Sequence, residues 1–254
     1  MRHIILISLM LAPFSAYAQM GTVHYTHTYA VLHSHYFVYR ALTAEAFGSK
    51  PLSPETHATV SRSMVFGAAA SLMYPTDKPH VEPEDRKVSG GVEYIDTTYV
   101  DFGGRTYTES RVIGAEIYLV SDELPAIPWR LENEERIYLG LRVMKATTEV
   151  DSAAVEAWFT PEIPIPAGPG LYGGLPGLIL MVTNAASGEV YAADSLEMNM
   201  LFRAIEPPTR GRKASDRKYR RAKAAEIAED RRVWEQSLRD IEEGKVQIIR
   251  RRGQ

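Results

Sequence analysis

Four histidines, His24, His27, His33 and His35, fall close together near the start of the chain. Neutral imidazole is the commonest side-chain ligand for zinc, copper or nickel, so this group is the candidate metal site. His33 and His35 would share one face of an extended strand. No acidic residue or thiol lies in the span, and His24 and His33 sit on opposite parities of any continuous strand. Those gaps favour the plainer reading, a mixed polar face, and no cofactor is expected. Six carboxylates, Asp96, Asp101, Glu109, Glu116, Glu156 and Glu162, lie on or beside segments that read as strands. Two of them meeting across a sheet could act as general acid and base, the chemistry of a carboxylate hydrolase. Carboxylates on strand edges also serve simply to prevent unwanted pairing. No G-x-S-x-G elbow, H-E-x-x-H helix or EF-hand loop occurs.

A second group is apolar. Trp129, Trp158, Phe159 and Tyr172, joined by Leu175 and Pro176, could line a pocket for an apolar ligand, because aromatic rings offer large surface with a polar handle. The same residues could equally fill a core. What positions them is the stretch Glu156 to Ile179, EAWFTPEIPIPAGPGLYGGLPGLI, two apolar runs joined by a turn-rich connector. Pro161, Pro164, Pro166 and Pro169 forbid a helix and favour extended backbone, while Gly168 to Gly174 supply tight turns. Leu175 to Val182 is almost wholly apolar and too short for an ordinary helix, so it is expected to be a buried strand under a crossing connector. Glycines of this density could cradle a phosphate, but no Lys-Ser/Thr follows and no helix starts there, so they read as turn residues.

GLPGLI at Gly174 to Ile179, preceded by AWFTPEIPI at Ala157 to Ile165 and by Gly168-Pro169, closely resembles the GLPGLI family of Bacteroidetes envelope proteins. The resemblance extends in architecture from Gly21 to about Leu201, with identifiable motifs over Trp129 to Val182. It implies an envelope location and a β-rich fold, and no particular activity. Members of the family often carry a cysteine near the position of Val143; this chain has no cysteine at all. A cysteine-dependent role and a disulfide staple are therefore both excluded.

Composition and termini set the frame. The chain has 254 residues, 45% hydrophobic and 24% charged, enough for one substantial core. Arg2 and His3 precede the apolar run Ile4 to Ala12, and Ala16-Tyr17-Ala18 supplies the small residues at which a signal peptidase cuts. Export to the periplasm or cell surface is the expectation, with residues 1–18 as signal peptide and a mature chain from Gln19. No later segment is apolar and long enough for a transmembrane helix. The expected organisation is a β-rich domain over 19–206 and a basic helical tail over 207–254.

Alternation of apolar and polar residues predicts strands over Gly21 to Val31, Ala58 to Tyr74 (bent or partly helical), Val92 to Val100, Thr106 to Ile113, Ala115 to Val120, Arg136 to Val150, Val155 to Phe159 and Glu189 to Met200. In the long run Arg136 to Val150, residues Ile137, Leu139, Leu141 and Val143 would share one face. A helical turn is expected at Leu42 to Phe47 and a solvated loop over Pro75 to Gly91. The fold class is thus mainly β: a strongly curved, largely antiparallel sheet, an incomplete barrel in its extreme form, with a C-terminal helix.

From Thr209 onward there are 15 Lys/Arg against 8 Asp/Glu, although the whole chain carries a formal charge of -3. That tail would suit an envelope protein partner or a peripheral contact with anionic lipid, and export argues against nucleic acid. The functional expectation is a non-enzymatic envelope protein that binds an apolar small molecule, a peptide or a protein. The competing expectation is a metal- or carboxylate-dependent hydrolase of the envelope.

Overall fold

The computed structural model describes residues 20–30, 57–78, 80–82, 95–150, 153–185, 187–199 and 204–243. The signal segment, His33, His35 and the turn at Leu42 to Phe47 lie outside them. The described residues form thirteen strands and one long helix: β1 (Met20–Ala30), β2 (His57–Phe66), β3 (Ala70–Pro75), β4 (His80–Glu82), β5 (Ile95–Asp101), β6 (Thr106–Ile113), β7 (Glu116–Glu123), β8 (Arg130–Tyr138), β9 (Leu141–Val150), β10 (Ala153–Thr160), β11 (Leu178–Asn184), β12 (Glu189–Asn199), β13 (Arg212–Ala214) and α1 (Asp216–Glu242).

All belong to one sheet in the order β13-β7-β6-β5-β3-β2-β1-β12-β11-β10-β9-β8, with β4 also paired to β2. Two meanders, β1 to β7 and β8 to β12, are welded where β1 pairs antiparallel with β12. Every pairing is antiparallel except the short β13 beside β7. The two ends of the order, β13 and β8, are not paired with each other, so the sheet is open. It is also strongly bent. Tyr138 on edge strand β8 donates to the carbonyl of Ala193 on β12 at 2.5 Å, although β9, β10 and β11 separate them. Four strand spacings of about 4.8 Å would hold them about 19 Å apart in a flat sheet, far beyond a tyrosine's reach.

Alternation explains most of the strands. On β1, Val23, Tyr25 and His27 are buried while Thr22, His24 and Thr26 are only partly so. The bend between β2 and β3 is a tight connection, with the Gly67 N–H donating to the Ala70 carbonyl, and not a helical turn. The long run Arg136 to Val150 is corrected: it is not one strand. Leu139 and Gly140 both adopt positive φ, 52° and 78°, and fold it into a β8–β9 hairpin in which Ile137 pairs with Arg142 and Tyr138 with Leu141. A two-residue loop with both φ positive matches the right-handed strand twist. Ile137 and Leu139 consequently do not share a buried face with Val143; Ile137 is 71% exposed.

The main core gathers Val23, Tyr25, Met64, Phe66, Phe159, Leu178, Ile179 and Val182 with connector residues Ile163, Ile165, Ala167 and Leu175. A smaller core of Val100, Tyr107, Tyr118 and Val120 is completed by Ala214 and Tyr219 from the C-terminal arm. Phe102 packs against both. The arm therefore begins as part of the sheet before it leaves as α1.

Candidate functional site

The connector between β10 and β11 is stitched down through its backbone. The Leu178 N–H donates to the Ile163 carbonyl at 3.0 Å, and the Ile179 N–H donates to the Ala167 carbonyl at 2.9 Å. Two of its glycines are steric necessities: a Cβ on Gly168 would lie 2.3 Å from the Tyr172 carbonyl oxygen, and one on Gly177 would lie 2.2 Å from that of Thr160. Buried backbone must find partners, and at these positions only glycine lets the strands come close enough.

The six apolar candidates part company here. Trp158, Phe159 and Leu175 are buried in the main core, and Trp129 and Tyr172 pack against it. Trp129 braces the connector from outside, its indole N–H donating to the Gly173 carbonyl at 2.9 Å. Trp158 lies under the guanidinium of Arg136, whose carbon is 3.8 Å from the ring centroid, and its indole N–H donates to Glu156 at 2.7 Å. Pro176 is exposed. Tyr172 turns instead into a polar network.

That network is centred on His27. Its Nε2 is 2.9 Å from Glu189 Oε1 and its Nδ1 accepts from Arg62 Nε at 3.2 Å. Arginine can only donate, so Nδ1 carries no proton and the neutral ring holds it on Nε2, directed at the carboxylate. The ring stacks on Tyr191 at 3.9 Å with an interplanar angle of 5°. Tyr172 donates to the other oxygen of Glu189 at 3.2 Å and accepts from Asn184 Nδ2, also at 3.2 Å. Burial pushes the His27 pKa below its ordinary value, against the pull of Glu189. Burial acts to raise Glu189, but the hydrogen bonds from His27, Tyr172 and Tyr191 outweigh it and hold the carboxyl below the usual range. Tyr172 is pushed up to about 12, by burial and then by the Glu189 charge. Of the other described histidine in the candidate metal group, His24 Nδ1 meets Ser63 Oγ at 2.8 Å. Among the described residues no group of three potential metal ligands occurs.

The carboxylates also resolve into separate pairings. Glu109 is buried, accepts from Thr98 at 3.0 Å and from Arg111 Nε at 2.7 Å, while Arg111 Nη1 reaches Asp216 at 3.1 Å. Glu116 takes the Tyr118 hydroxyl, Glu156 takes Lys145 and Trp158, Glu162 takes the Arg142 N–H, and Asp101 takes the Gly104 N–H. The side chain of Asp96 lies outside the described residues. Two of the described five share a cation with a second carboxylate: Glu109 with Asp216 through Arg111, and Glu156 with Glu134 through Lys145. Neither buried network had a local signal in the chain: His27 and Glu189 are 162 residues apart, and Arg111 and Asp216 are 105 apart. Only Glu109 and Arg111, two apart and so on one strand face, could have been paired by reading.

This is an open, bent antiparallel sheet with a pinned crossing segment. Residues 129–181, from Trp129 through β8, β9, β10 and the connector into β11, match the family model described as "Protein of unknown function (Porph_ging)". No curated protein matches the chain. Two solved structures of PNGF-II, in the P21 and C2 space groups, are similar to it, with TM-scores of 0.52 and 0.49 and 17% identity in each case. Each covers 84% of this chain, which spans only 34% of theirs. At that identity the first of them shows a shared fold and nothing of chemistry.

Proposed function

We propose that this chain is an exported, non-enzymatic envelope protein of the GLPGLI type that works by holding a protein partner. The observation that carries the reading is the occupancy of His27: both ring nitrogens are engaged, to Glu189 and Arg62, and one face is covered by Tyr191. A general base or a metal ligand needs a free nitrogen facing a substrate or an ion. Phe159 and Leu175 support it too, since both are taken up in packing. Among the described residues no helix is long and apolar enough to cross a membrane.

The surface that suits a partner is the β8–β9 hairpin, where Leu131 and Ile137 on β8 and Leu139 in the turn are exposed and where, among the described residues, β8 has no strand on its outer edge. Exposed apolar side chains beside free backbone donors and acceptors are what an added strand recognises. Its glutamates are engaged from the neighbouring strand, Glu134 by Lys145, Glu135 by Arg142 and Glu132 by the Thr147 hydroxyl. Two measurements test the reading. N-terminal sequencing of the protein from the envelope fraction should begin at Gln19, and recovery from the cytosol with Met1 in place would defeat export. A photo-crosslinker at Ile137 should trap one discrete protein while the same probe at Arg221 does not; equal, diffuse labelling at both would remove the hairpin as the binding surface.

A further inference from the structure

The tail's positive charge is not spread along it. Between 209 and 225 stand eight basic residues and one acidic one, Asp216, whereas the remaining stretch to Gln254 is balanced. This basic half is the part that joins the sheet, through β13 and the first turns of α1, and it borders a cleft of about 650 Å³. Its apolar part is Leu119 of β7, walled by Pro207 and Pro208; Ala214 of β13 borders the cleft while belonging to the smaller core. At its rim stand Lys213 and Lys218, and across from them Thr108 and Ser121 share a hydrogen bond of 2.9 Å. No carboxylate lines it.

Three of the six other basic residues in this stretch are committed to ion pairs. Arg212 pairs with Glu116, Arg220 with Asp216 and Lys223 with Glu226. Lys213 and Lys218 make no ion pair among the described residues. The amide ends of α1 are engaged as well, the Lys218 N–H with Ser215 Oγ at 3.3 Å and the Asp216 N–H with Asp122 at 3.2 Å. An anion arriving here would thus be held by the two ammonium groups and not by the helix end. We infer that this cleft binds a small ligand with an anionic head, phosphate or carboxylate, on an apolar body. The volume is that of a small-molecule site. The ammonium groups are mobile point charges that neutralise an oxyanion without demanding one geometry, and the proline and leucine surface receives the apolar part.

Octyl phosphate, used below its micelle concentration and titrated calorimetrically into the full chain, is the probe. It should bind saturably, inorganic phosphate at least tenfold more weakly, and octyl glucoside not at all. The double variant Lys213→Gln/Lys218→Gln should weaken octyl phosphate at least tenfold with an unchanged melting temperature. The control Arg217→Gln/Arg221→Gln, which removes the same charge away from the cleft, should stay within twofold. Loss of equal size in the control would mean diffuse attraction and overturn the site, as would wild-type binding by the lysine variant. Vesicles of phosphatidylcholine with phosphatidic acid separate the sources. Lysine-dependent sedimentation with them supports a lipid head group, and octyl phosphate binding without sedimentation supports a free anion.

Discussion

The connector and the C-terminal arm are the two segments laid across this sheet, and each is anchored by a buried polar network of different chemistry. Under the connector the central group is a neutral imidazole, His27, between Glu189 and Arg62, with Tyr172 bringing the connector itself into contact. Under the arm it is a guanidinium, Arg111, between Glu109 and Asp216, with Tyr219 of α1 lying 5.1 Å from its carbon. Arginine stays charged at any accessible pH, whereas a buried histidine keeps its ring neutral only until acid forces a proton on it. One anchor should be permanent and the other conditional. The arm's side is also left with a cleft, while the connector closes tightly over its own.

The comparison breaks most severely at the connector's backbone. Gly177→Ala drives a Cβ into the Thr160 carbonyl and should destabilise by more than about 4 kcal/mol in urea titration. A loss below about 1 kcal/mol would mean the connector has room it does not show. Arg111→Met leaves the Glu109 carboxylate buried without its cation and should cost about 3 kcal/mol, releasing the arm so that proteolysis cuts before Tyr219. Arrival at wild-type stability would show the arm is held by apolar contact alone.

His27→Gln should cost about 2 kcal/mol at neutral pH, and its larger lesson is in the pH profile. The folded pKa of His27 lies below its ordinary 6.5, so on acidification the unfolded chain takes up that proton first. Stability is then expected to fall as pH drops below about 6.5, by at most about 1.4 kcal/mol per pH unit for one proton. Glu189, also lowered, adds a second loss below its ordinary 4.5. The upper step should vanish in His27→Gln and persist in Arg111→Met; a step unchanged by removing His27 assigns it elsewhere. Gly174→Ala, at φ +84° but in open space, should cost only about 1 kcal/mol, the price of the backbone conformation without a clash. Smallest of all, Ile137→Glu should alter stability by less than about 0.5 kcal/mol while abolishing partner capture.

Reading the chain located the connector, its prolines and glycines, and most strands, because periodicity and turn chemistry act over a few residues. Leu175 to Val182 was expected as one strand; ladder pairing starts only at Leu178, and Leu175 is buried as part of the cover. The β8–β9 turn escaped because its signal is a lone Gly140 after Leu139, not the Asn-Gly or Asp-Gly pair that marks such loops. Strand β13 is three residues long and has no period to detect. The partners of the histidines and carboxylates are not legible for a related reason: nearness along a chain says nothing about which cation or hydroxyl will reach each one first.

What Pro161 to Gly177 settled unaided is that an extended segment without helix must cross apolar strands, since ring-locked φ and absent side chains act on each residue alone. What only folding decided is which distant groups meet: His27 with Glu189, Arg111 with Asp216, two lysines with a proline wall. Those meetings depend on which distant strands pair and in what register, β1 beside β12 and β13 beside β7, and no single stretch of sequence contains that choice.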